Sequence, residues 1–167
     1  MLGCGEPRAH ATVSPGLLNT RADGYERARV GVAVCSRSVQ PDRELDRHTV
    51  LRPAPGALAV GAGAPPVATE AGLLLFYHER NSESPYTIKV ALLDDETGRV
   101  ESLLPEPILR PELPWERSGD VDDVVFVQGA VPRPDGTIYL TYGAADRCIG
   151  AASVETAEIL DALRAAA

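Results

Sequence analysis

The sequence of 167 residues predicts an all-β repeat protein. An apolar strand, a polar loop and a second apolar strand recur in residues 17–36, 73–93 and 138–153. The copies begin roughly 60 residues apart, a loose version of the spacing between the blades of a β-propeller. We therefore expect each copy to contribute to one blade.

Composition and charge restrict the class of protein and its ligands. Hydrophobic residues make up 44% of the chain and charged residues 24%, which is typical of a globular domain. The net charge of −8 disfavours nucleic acid as a partner, because phosphate backbones bind to clustered positive charge. Neutral ligands such as sugars fit better. No apolar run is long enough for a membrane helix and no secretory signal is recognisable, so we expect a cytoplasmic location.

The cysteines indicate neither a disulfide framework nor a zinc site. Cys4, Cys35 and Cys148 are odd in number and lack C-x-x-C spacing. We expect Cys35 and Cys148 to be buried thiols within strands. The three histidines are too dispersed to suggest a metal centre.

The first part of the chain divides into an arm, a repeat and a long loop. Residues 1–16 show no periodicity and are expected to form an irregular N-terminal arm, with one domain over residues 17–167. Residues 40–66 contain five prolines and end in a glycine-rich stretch. Because proline cannot donate to a β-ladder, we expect a loop here rather than a strand.

The second part shows clearer strand and turn signals. Apolar and polar residues alternate through residues 86–92, which is typical of a β-strand. Residues 94–98 and 132–136 each end in glycine and are expected to form turns. Only the C-terminus predicts a helix, capped by Ser153 and with Ile159, Leu160 and Leu163 on one face.

Four segments carry a more specific signal. A glycine- and proline-rich loop precedes a strand ending in Tyr-His, and a strand ending in aspartate precedes a proline-rich stretch. A Trp-Glu-Arg-Ser-Gly sequence leads to Val-Val-Phe, and Tyr-Gly-Ala-Ala-Asp precedes Ile-Gly-Ala-Ala. The segments are residues 60–78, 91–112, 115–130 and 142–152. In this order they resemble the C-terminal part of glycoside hydrolase family 130, the inverting β-mannoside phosphorylases and related β-mannosidases.

The resemblance implies an incomplete five-bladed β-propeller, with roughly the last two to three blades present and a short C-terminal helix. It also implies a sugar pocket at the centre of one face. The family's proton-donor aspartate belongs to the N-terminal half, which no segment of this chain resembles. We therefore expect the chain alone to be inactive, with its catalytic acid supplied from elsewhere.

The resemblance also selects candidate residues for binding phosphate. His78 resembles a histidine that contacts phosphate, where an imidazole can donate a hydrogen bond to an anion or a sugar hydroxyl. Tyr86 is a candidate for a phosphate-contacting tyrosine. Where the phosphorylases present a lysine, this chain has Leu-Ala-Val at residues 58–60, and Arg80 or Lys89 would have to supply the positive charge. Loss of that lysine favours weaker phosphate binding.

Acidic residues are the remaining candidates. Asp146 ends the Tyr-Gly-Ala-Ala-Asp sequence and is expected to contact sugar, because a carboxylate accepts hydrogen bonds from adjacent hydroxyls. Asp120 belongs to an acidic cluster in front of the Val-Val-Phe strand and is a second substrate-binding candidate. Glu79 is a candidate base for activating water, since inverting hydrolysis requires a second carboxylate.

The sequence is compatible with three functions. The first is part of a β-mannoside phosphorylase or hydrolase, with a mannoside or mannose-containing oligosaccharide as ligand. It would use inorganic phosphate as a candidate co-substrate and no cofactor or metal. The second is a noncatalytic or vestigial carbohydrate-binding fragment, and the third is a β-meander interaction module. Exposed blade edges lead us to expect association with a missing N-terminal half or self-association.

Overall fold

The fold consists of antiparallel β-sheets and a short C-terminal helix, which confirms the predicted all-β class. A computed structural model describes residues 30–31, 49–81 and 86–167. The strands are β1 Val30–Gly31, β2 Thr49–Leu51, β3 Ala57–Ala62, β4 Val67–Thr69, β5 Gly72–Asn81, β6 Thr87–Leu93, β7 Val100–Leu103, β8 Val125–Pro132, β9 Thr137–Ala144 and β10 Cys148–Glu155. The helices are α1 Pro114–Arg117 and α2 Thr156–Ala165. The expected N-terminal arm, and the first repeat apart from residues 30–31, lie outside the described residues.

The larger sheet has the strand order β3-β5-β6-β7, and β4 also pairs with β5. β3 pairs with the second half of β5, where Gly61 lies opposite His78, while β4 pairs with the first half. Residues 63–66, which include two prolines, separate β3 from β4 along the same edge of β5. The repeat predicted in residues 73–93 is the antiparallel pair β5 and β6.

A three-stranded sheet, called the smaller sheet below, has the strand order β10-β9-β8, and β1 and β2 form a separate two-stranded pair. The repeat predicted in residues 138–153 is the hairpin of β9 and β10. Both predicted turns are confirmed, with Gly136 between β8 and β9 and Gly98 between β6 and β7. Their φ angles of 88° and 67° lie in the left-handed region that glycine adopts without steric cost.

The two sheets and α2 enclose the main core. Alternate residues of β5, β6, β8 and β9 face it, because side chains of a strand point to opposite faces in turn. Its fully buried large side chains include Phe76 and Ile88 of the larger sheet, Tyr142 of the smaller sheet, and Ile159 and Leu163 of α2. A second cluster lies on the other face of the larger sheet. Its buried members are Leu51, Val60, Leu75, Tyr77, Ala91 and Leu93.

The prediction of a continuous loop over residues 40–66 is wrong, because β2 and β3 lie within this range. The prolines flank the strand β3 rather than interrupt it. Pro53 and Pro55 precede it, and Pro65 and Pro66 follow it. The intervening backbone therefore keeps all the amide donors that pairing with β5 requires.

The predicted start of the C-terminal helix is also wrong. β10 continues to Glu155, so Ser153 pairs with Tyr139 of β9 and does not cap a helix. Pairing along the full length of β9 overrides the local capping preference of serine. The predicted apolar face is confirmed, since Ile159 and Leu163 are buried and Leu160 packs against the core. Within the described residues, neither helix has the length and hydropathy of a membrane span.

Candidate functional site

The first residues of β8 contact two of the residues selected by the sequence. The Val125 amide donates a hydrogen bond to the Tyr86 carbonyl oxygen at 3.0 Å. The Nε2 atom of His78 lies 3.0 Å from the carbonyl oxygen of Val127. Strand β8 therefore connects His78, near the end of β5, and Tyr86, next to the start of β6, to the smaller sheet.

His78 is completely buried and is held in one tautomer. A carbonyl oxygen can only accept, so the Nε2 atom must carry the proton that is donated to Val127. The ring stacks on Phe126 with 4.4 Å between centroids. The Nδ1 atom is buried and has no hydrogen-bond partner among the described residues. Burial lowers the pKa of His78 to about 4, so the neutral ring offers an acceptor at Nδ1 and would have to be protonated to donate there.

Arg80 supplies the positive charge on the face of β5 that carries His78. Residues two apart in a strand share a face. The Nη1 atom of Arg80 donates to the Tyr86 hydroxyl at 3.4 Å, and its guanidinium carbon lies 5.2 Å from the centre of the Tyr86 ring. On the neighbouring strand β3, Ala59 is directly opposite Arg80. The structure therefore places Arg80 beside the position at which the resemblance leads us to expect a lysine.

Asp146 lies in the turn of residues 145–147 between β9 and β10. Ala145 and Asp146 have φ angles of 47° and 50°, and the Arg147 amide donates to the Ala144 carbonyl oxygen at 3.1 Å. Two successive left-handed residues are typical of a type I′ hairpin turn, and aspartate tolerates this conformation better than most residues. The turn leaves the Asp146 side chain exposed at the tip of the hairpin.

Asp120 lies in a loop that is hydrogen-bonded to the same turn. The amides of Asp120 and Val121 both donate to the Ala145 carbonyl oxygen, at 2.9 and 3.2 Å. Gly119 packs so closely that an added Cβ would lie 2.3 Å from that oxygen. The Ala145 amide in turn donates to the Val124 carbonyl oxygen at 2.9 Å. The structure thus brings the loop of Asp120 and the turn of Asp146 together and joins both to the start of β8.

Sequence reasoning assigned no role to Glu116, which lies in α1 and is completely buried. Its Oε1 atom accepts a hydrogen bond from the Tyr142 hydroxyl at 2.7 Å. Its Oε2 atom accepts from the backbone amides of Glu112 and Leu113 at 2.8 and 2.9 Å. The available signal was its place inside the Trp-Glu-Arg-Ser-Gly segment, but a glutamate in a polar stretch gives no indication of burial.

Glu79, the candidate base, lies on the opposite face of β5 from His78. Its Oε1 atom is 3.1 Å from the Nζ atom of Lys89, and both side chains are mostly buried. Its Oε2 atom accepts a hydrogen bond from the Ala54 amide at 3.3 Å. This face carries the second core cluster, in which burial, and the neighbouring Glu79 charge to a lesser extent, raise the pKa of the Tyr77 phenol. Lys89 is therefore separated by the sheet from Arg80 and His78.

The expectation of a buried thiol at position 148 is wrong, because Cys148 is disulfide-bonded. Cysteine spacing alone cannot show which sulfur atoms meet in the folded chain. Cys4 and Cys35 lie outside the described residues. The expected cytoplasmic location stays a prediction.

These features define an antiparallel β-sheet protein whose loops and strand ends carry the polar candidate residues. They include exposed carboxylates and an arginine and tyrosine pair, and such groups can hydrogen-bond hydroxyl-rich or anionic ligands. The chain belongs to glycoside hydrolase family 130. The family model, described as beta-1,4-mannooligosaccharide phosphorylase, matches residues 28–165.

Relatives of known activity and structure agree with this family. The 1,2-beta-oligomannan phosphorylase of Thermoanaerobacter sp. (strain X514) is 39% identical over 118 residues, which cover 68% of this chain and 40% of that protein. The structure of the beta-1,2-mannobiose phosphorylase from Listeria innocua in complex with beta-1,2-mannobiose is 34% identical, with a TM-score of 0.67 over 71% of this chain and 34% of its own.

A further solved relative comes from work on family members that are glycoside hydrolases targeting β-1,2 mannosidic linkages in Candida mannan. It is 28% identical, with a TM-score of 0.58 over 68% of this chain and 35% of its own. The chain therefore spans between a third and two fifths of the length of these relatives.

Proposed function

We propose that this chain forms part of the substrate site of a β-mannoside phosphorylase, as a portion of an incomplete five-bladed β-propeller. The observation that carries the proposal is the family match over residues 28–165. The similarity to a mannobiose complex, with a TM-score of 0.67, supports it. We choose β-1,2-linked mannosides as the ligand, because relatives of this specificity are 39% and 44% identical over the matched regions.

Asp146 and Asp120 are proposed to bind the sugar. Both are exposed, and they lie on loops joined by the hydrogen bond from the Asp120 amide to the Ala145 carbonyl oxygen. Carboxylates on two adjoining loops can accept hydrogen bonds from neighbouring sugar hydroxyls. Fixing both loops to one carbonyl oxygen lowers the entropy that the loops would lose on binding.

Arg80 and Tyr86 are proposed to bind the phosphate, and we extend this role to Arg80 from its geometry. Its guanidinium is exposed and lies beside the phenol of Tyr86, and it shares a face of β5 with His78. Phosphate would attack the anomeric carbon while an acid protonates the departing oxygen, which yields mannose 1-phosphate with inversion. His78 has no exposed surface, so we propose that it supports the site from the core, through its hydrogen bond to Val127, and does not contact the ligand.

We propose that the proton donor lies in a part of the family's propeller that this chain does not match. The chain spans 40% of a curated phosphorylase, which supports this assignment. The purified chain is accordingly expected to bind mannosides without turnover, because inverting transfer without a general acid loses much of its rate enhancement. Release of mannose 1-phosphate by the purified chain alone would contradict this assignment.

Calorimetric titration with β-1,2-mannobiose, β-1,4-mannobiose and mannose tests the proposed sugar site. The variant Asp146→Asn keeps a residue that tolerates the left-handed turn but removes the charge, so we expect roughly a tenfold loss of β-1,2-mannobiose affinity. The matched control is Asp135→Asn, because Asp135 is also an exposed turn aspartate, bonded to Thr137. Absence of mannoside binding by the wild-type chain, or equal losses in both variants, would overturn the proposal.

A noncatalytic carbohydrate-binding function is the second candidate. The observation that favours it is Ala59, which carries no charge at the position on β3 opposite Arg80. Adding inorganic phosphate to the mannoside titration separates the two functions. A phosphorylase site binds phosphate, whereas a site that binds sugar alone shows no effect of phosphate on the titration.

A further inference from the structure

We propose that Glu116 is a positioning residue, which holds the loop of Asp120 against the turn of Asp146 through Tyr142. The proposal rests on the proposed function, since it explains how the two sugar-binding loops are fixed. Glu116 touches neither loop tip. It acts through the backbone amides and the phenol to which it is bonded.

Glu116 is hydrogen-bonded to two elements of the fold. Its Oε2 atom binds the amides of Glu112 and Leu113, which precede α1, while its Oε1 atom binds the Tyr142 hydroxyl of β9. A buried carboxylate is costly unless it is hydrogen-bonded, so its retention at 0% exposure indicates that these bonds are formed together. Glu116 therefore fixes the position of α1 relative to β9.

Packing around Tyr142 reinforces this connection. Trp115 of α1 stacks on Tyr142 with 6.2 Å between ring centroids. Gly150 of β10 leaves room for both rings, since an added Cβ would lie 2.5 Å from the Tyr142 ring and 2.8 Å from Trp115. The Tyr142 side chain can therefore reach Glu116 only because β10 has no side chain at this position.

Just beyond these contacts, the loop that follows α1 is hydrogen-bonded to the turn that follows β9. The amides of Asp120 and Val121 donate to Ala145, three residues after Tyr142. The amide of Asp123 donates to the Arg117 carbonyl oxygen at 3.2 Å, which returns the loop to α1. The hydrogen bonds of Glu116 therefore hold α1 and Tyr142, the two places from which the loop and the turn extend.

The loop and the turn contain backbone conformations that need support from their surroundings. Among the described residues, the non-glycine residues with positive φ are Asp123 at 55°, Ala145 at 47° and Asp146 at 50°. All three belong to the loop and the turn. Residues other than glycine keep such conformations only when their surroundings enforce them, and such residues cluster at functional sites. We infer that the Glu116 connection supplies this constraint.

Amide hydrogen exchange of the full chain, followed residue by residue by NMR, tests the positioning role without any sugar. In Tyr142→Phe the carboxylate loses one donor, and a hydrogen bond to a charged group corresponds to roughly a ten- to hundredfold change in an equilibrium constant. We expect the amides of Asp120, Val121 and Ala145 to exchange at least tenfold faster, with the amides of β5 and β6 unchanged. The separate variant Glu116→Gln, with Tyr142 intact, should retain slow exchange, because its amide oxygen accepts from the backbone and its amino group donates to the Tyr142 oxygen.

The control variant is Glu101→Ala, an exposed glutamate of β7, which should leave all of these amides unchanged. Equal acceleration throughout the chain in Tyr142→Phe, or no acceleration at the loop and turn, would overturn the positioning role. Mannobiose titration of the same variants then tests the link to function. If the wild-type chain binds no mannoside, the proposed function is wrong. Amide hydrogen exchange then still tests whether Glu116 positions the loop and the turn. If Tyr142→Phe accelerates exchange but leaves mannoside affinity unchanged, the positioning role in binding is overturned.

Discussion

A hydrogen bond of 3.0 Å joins the Nε2 atom of His78 to the carbonyl oxygen of Val127. It connects β5 of the larger sheet to β8 of the smaller sheet inside the main core. Because the donor is a neutral imidazole, the bond also fixes the proton on Nε2 and leaves Nδ1 unprotonated. Protonation at Nδ1 would keep this bond but would place a charge in the buried contact between the sheets.

Stability should decrease as the pH falls from 6.5 to about 4. The pKa of His78 is lowered to about 4 by burial, against an ordinary value of 6.5. Between these values the unfolded chain binds more protons than the folded chain, so the free energy of unfolding rises with pH and falls on acidification. Protonation of His78 accounts for a loss on the order of 3 kcal/mol, measurable by urea denaturation across this window.

The variant His78→Gln separates this effect from other acid-sensitive groups. Glutamine can donate to Val127 but does not titrate, so the slope of stability against pH should become shallower. Hydrogen bonds from Thr97 and Thr137 lower the pKa of Asp94 and Asp135, and that stabilisation is lost only as the pH falls below the ordinary carboxyl value of 3.8. An unchanged slope in His78→Gln would show that another group titrates.

Gly63→Ala should destabilise the contact between the sheets. An added Cβ would lie 2.3 Å from Val127 Cγ1, 2.9 Å from the Phe76 carbonyl oxygen and 3.1 Å from His78 Nε2. The carbonyl belongs to the backbone and cannot easily move, so overpacking should cost about 1–3 kcal/mol. Gly143→Ala is the matched control, since its nearest neighbour would be at 3.9 Å. Chemical denaturation that gives equal effects for the two variants would contradict this prediction.

The Glu79 and Lys89 pair should contribute to stability as a unit. Their side chains are 14% and 11% exposed, so removing one partner leaves a mostly buried charge. A double-mutant cycle with Glu79→Ala and Lys89→Ala should give a coupling energy of about 1–3 kcal/mol. The exposed pair of Arg164 and Asp161 should give about 0.5 kcal/mol or less. Coupling no larger than in the exposed pair would refute a structural role for Glu79.

Arg80→Ala should weaken phosphate binding by roughly ten- to a hundredfold, since a charge-assisted hydrogen bond would be lost. Titration with inorganic phosphate, followed by the chemical shift of the Tyr86 ring, measures this loss. Arg133→Ala is the matched control, because Arg133 lies 4.3 Å from the centre of the Tyr139 ring in a similar stacked arrangement. Equal phosphate affinity in wild type and Arg80→Ala would remove Arg80 from the proposed site.

Periodicity and turn residues made most of the fold predictable. Alternation in residues 86–92 and the glycines at 98 and 136 determine strands and turns locally, because φ restrictions and side-chain direction depend on each residue and its neighbours. The family could also be identified, since its four segments occur in order along the chain. The predicted boundaries of the elements were wrong at Ser153 and around β3. At both places, pairing between strands competes with the local preference of the residues.

The sequence by itself determined the all-β class, the hairpins, the family and the candidate residues. Only the tertiary structure decided which candidates lie together. It placed Lys89 with Glu79 on one face of the larger sheet, Arg80 with Tyr86 on the other, and the Asp120 loop on the Asp146 turn. It also buried Glu116 beneath Tyr142. Such contacts depend on strand register and on packing between residues distant in sequence, and local patterns carry no information about either.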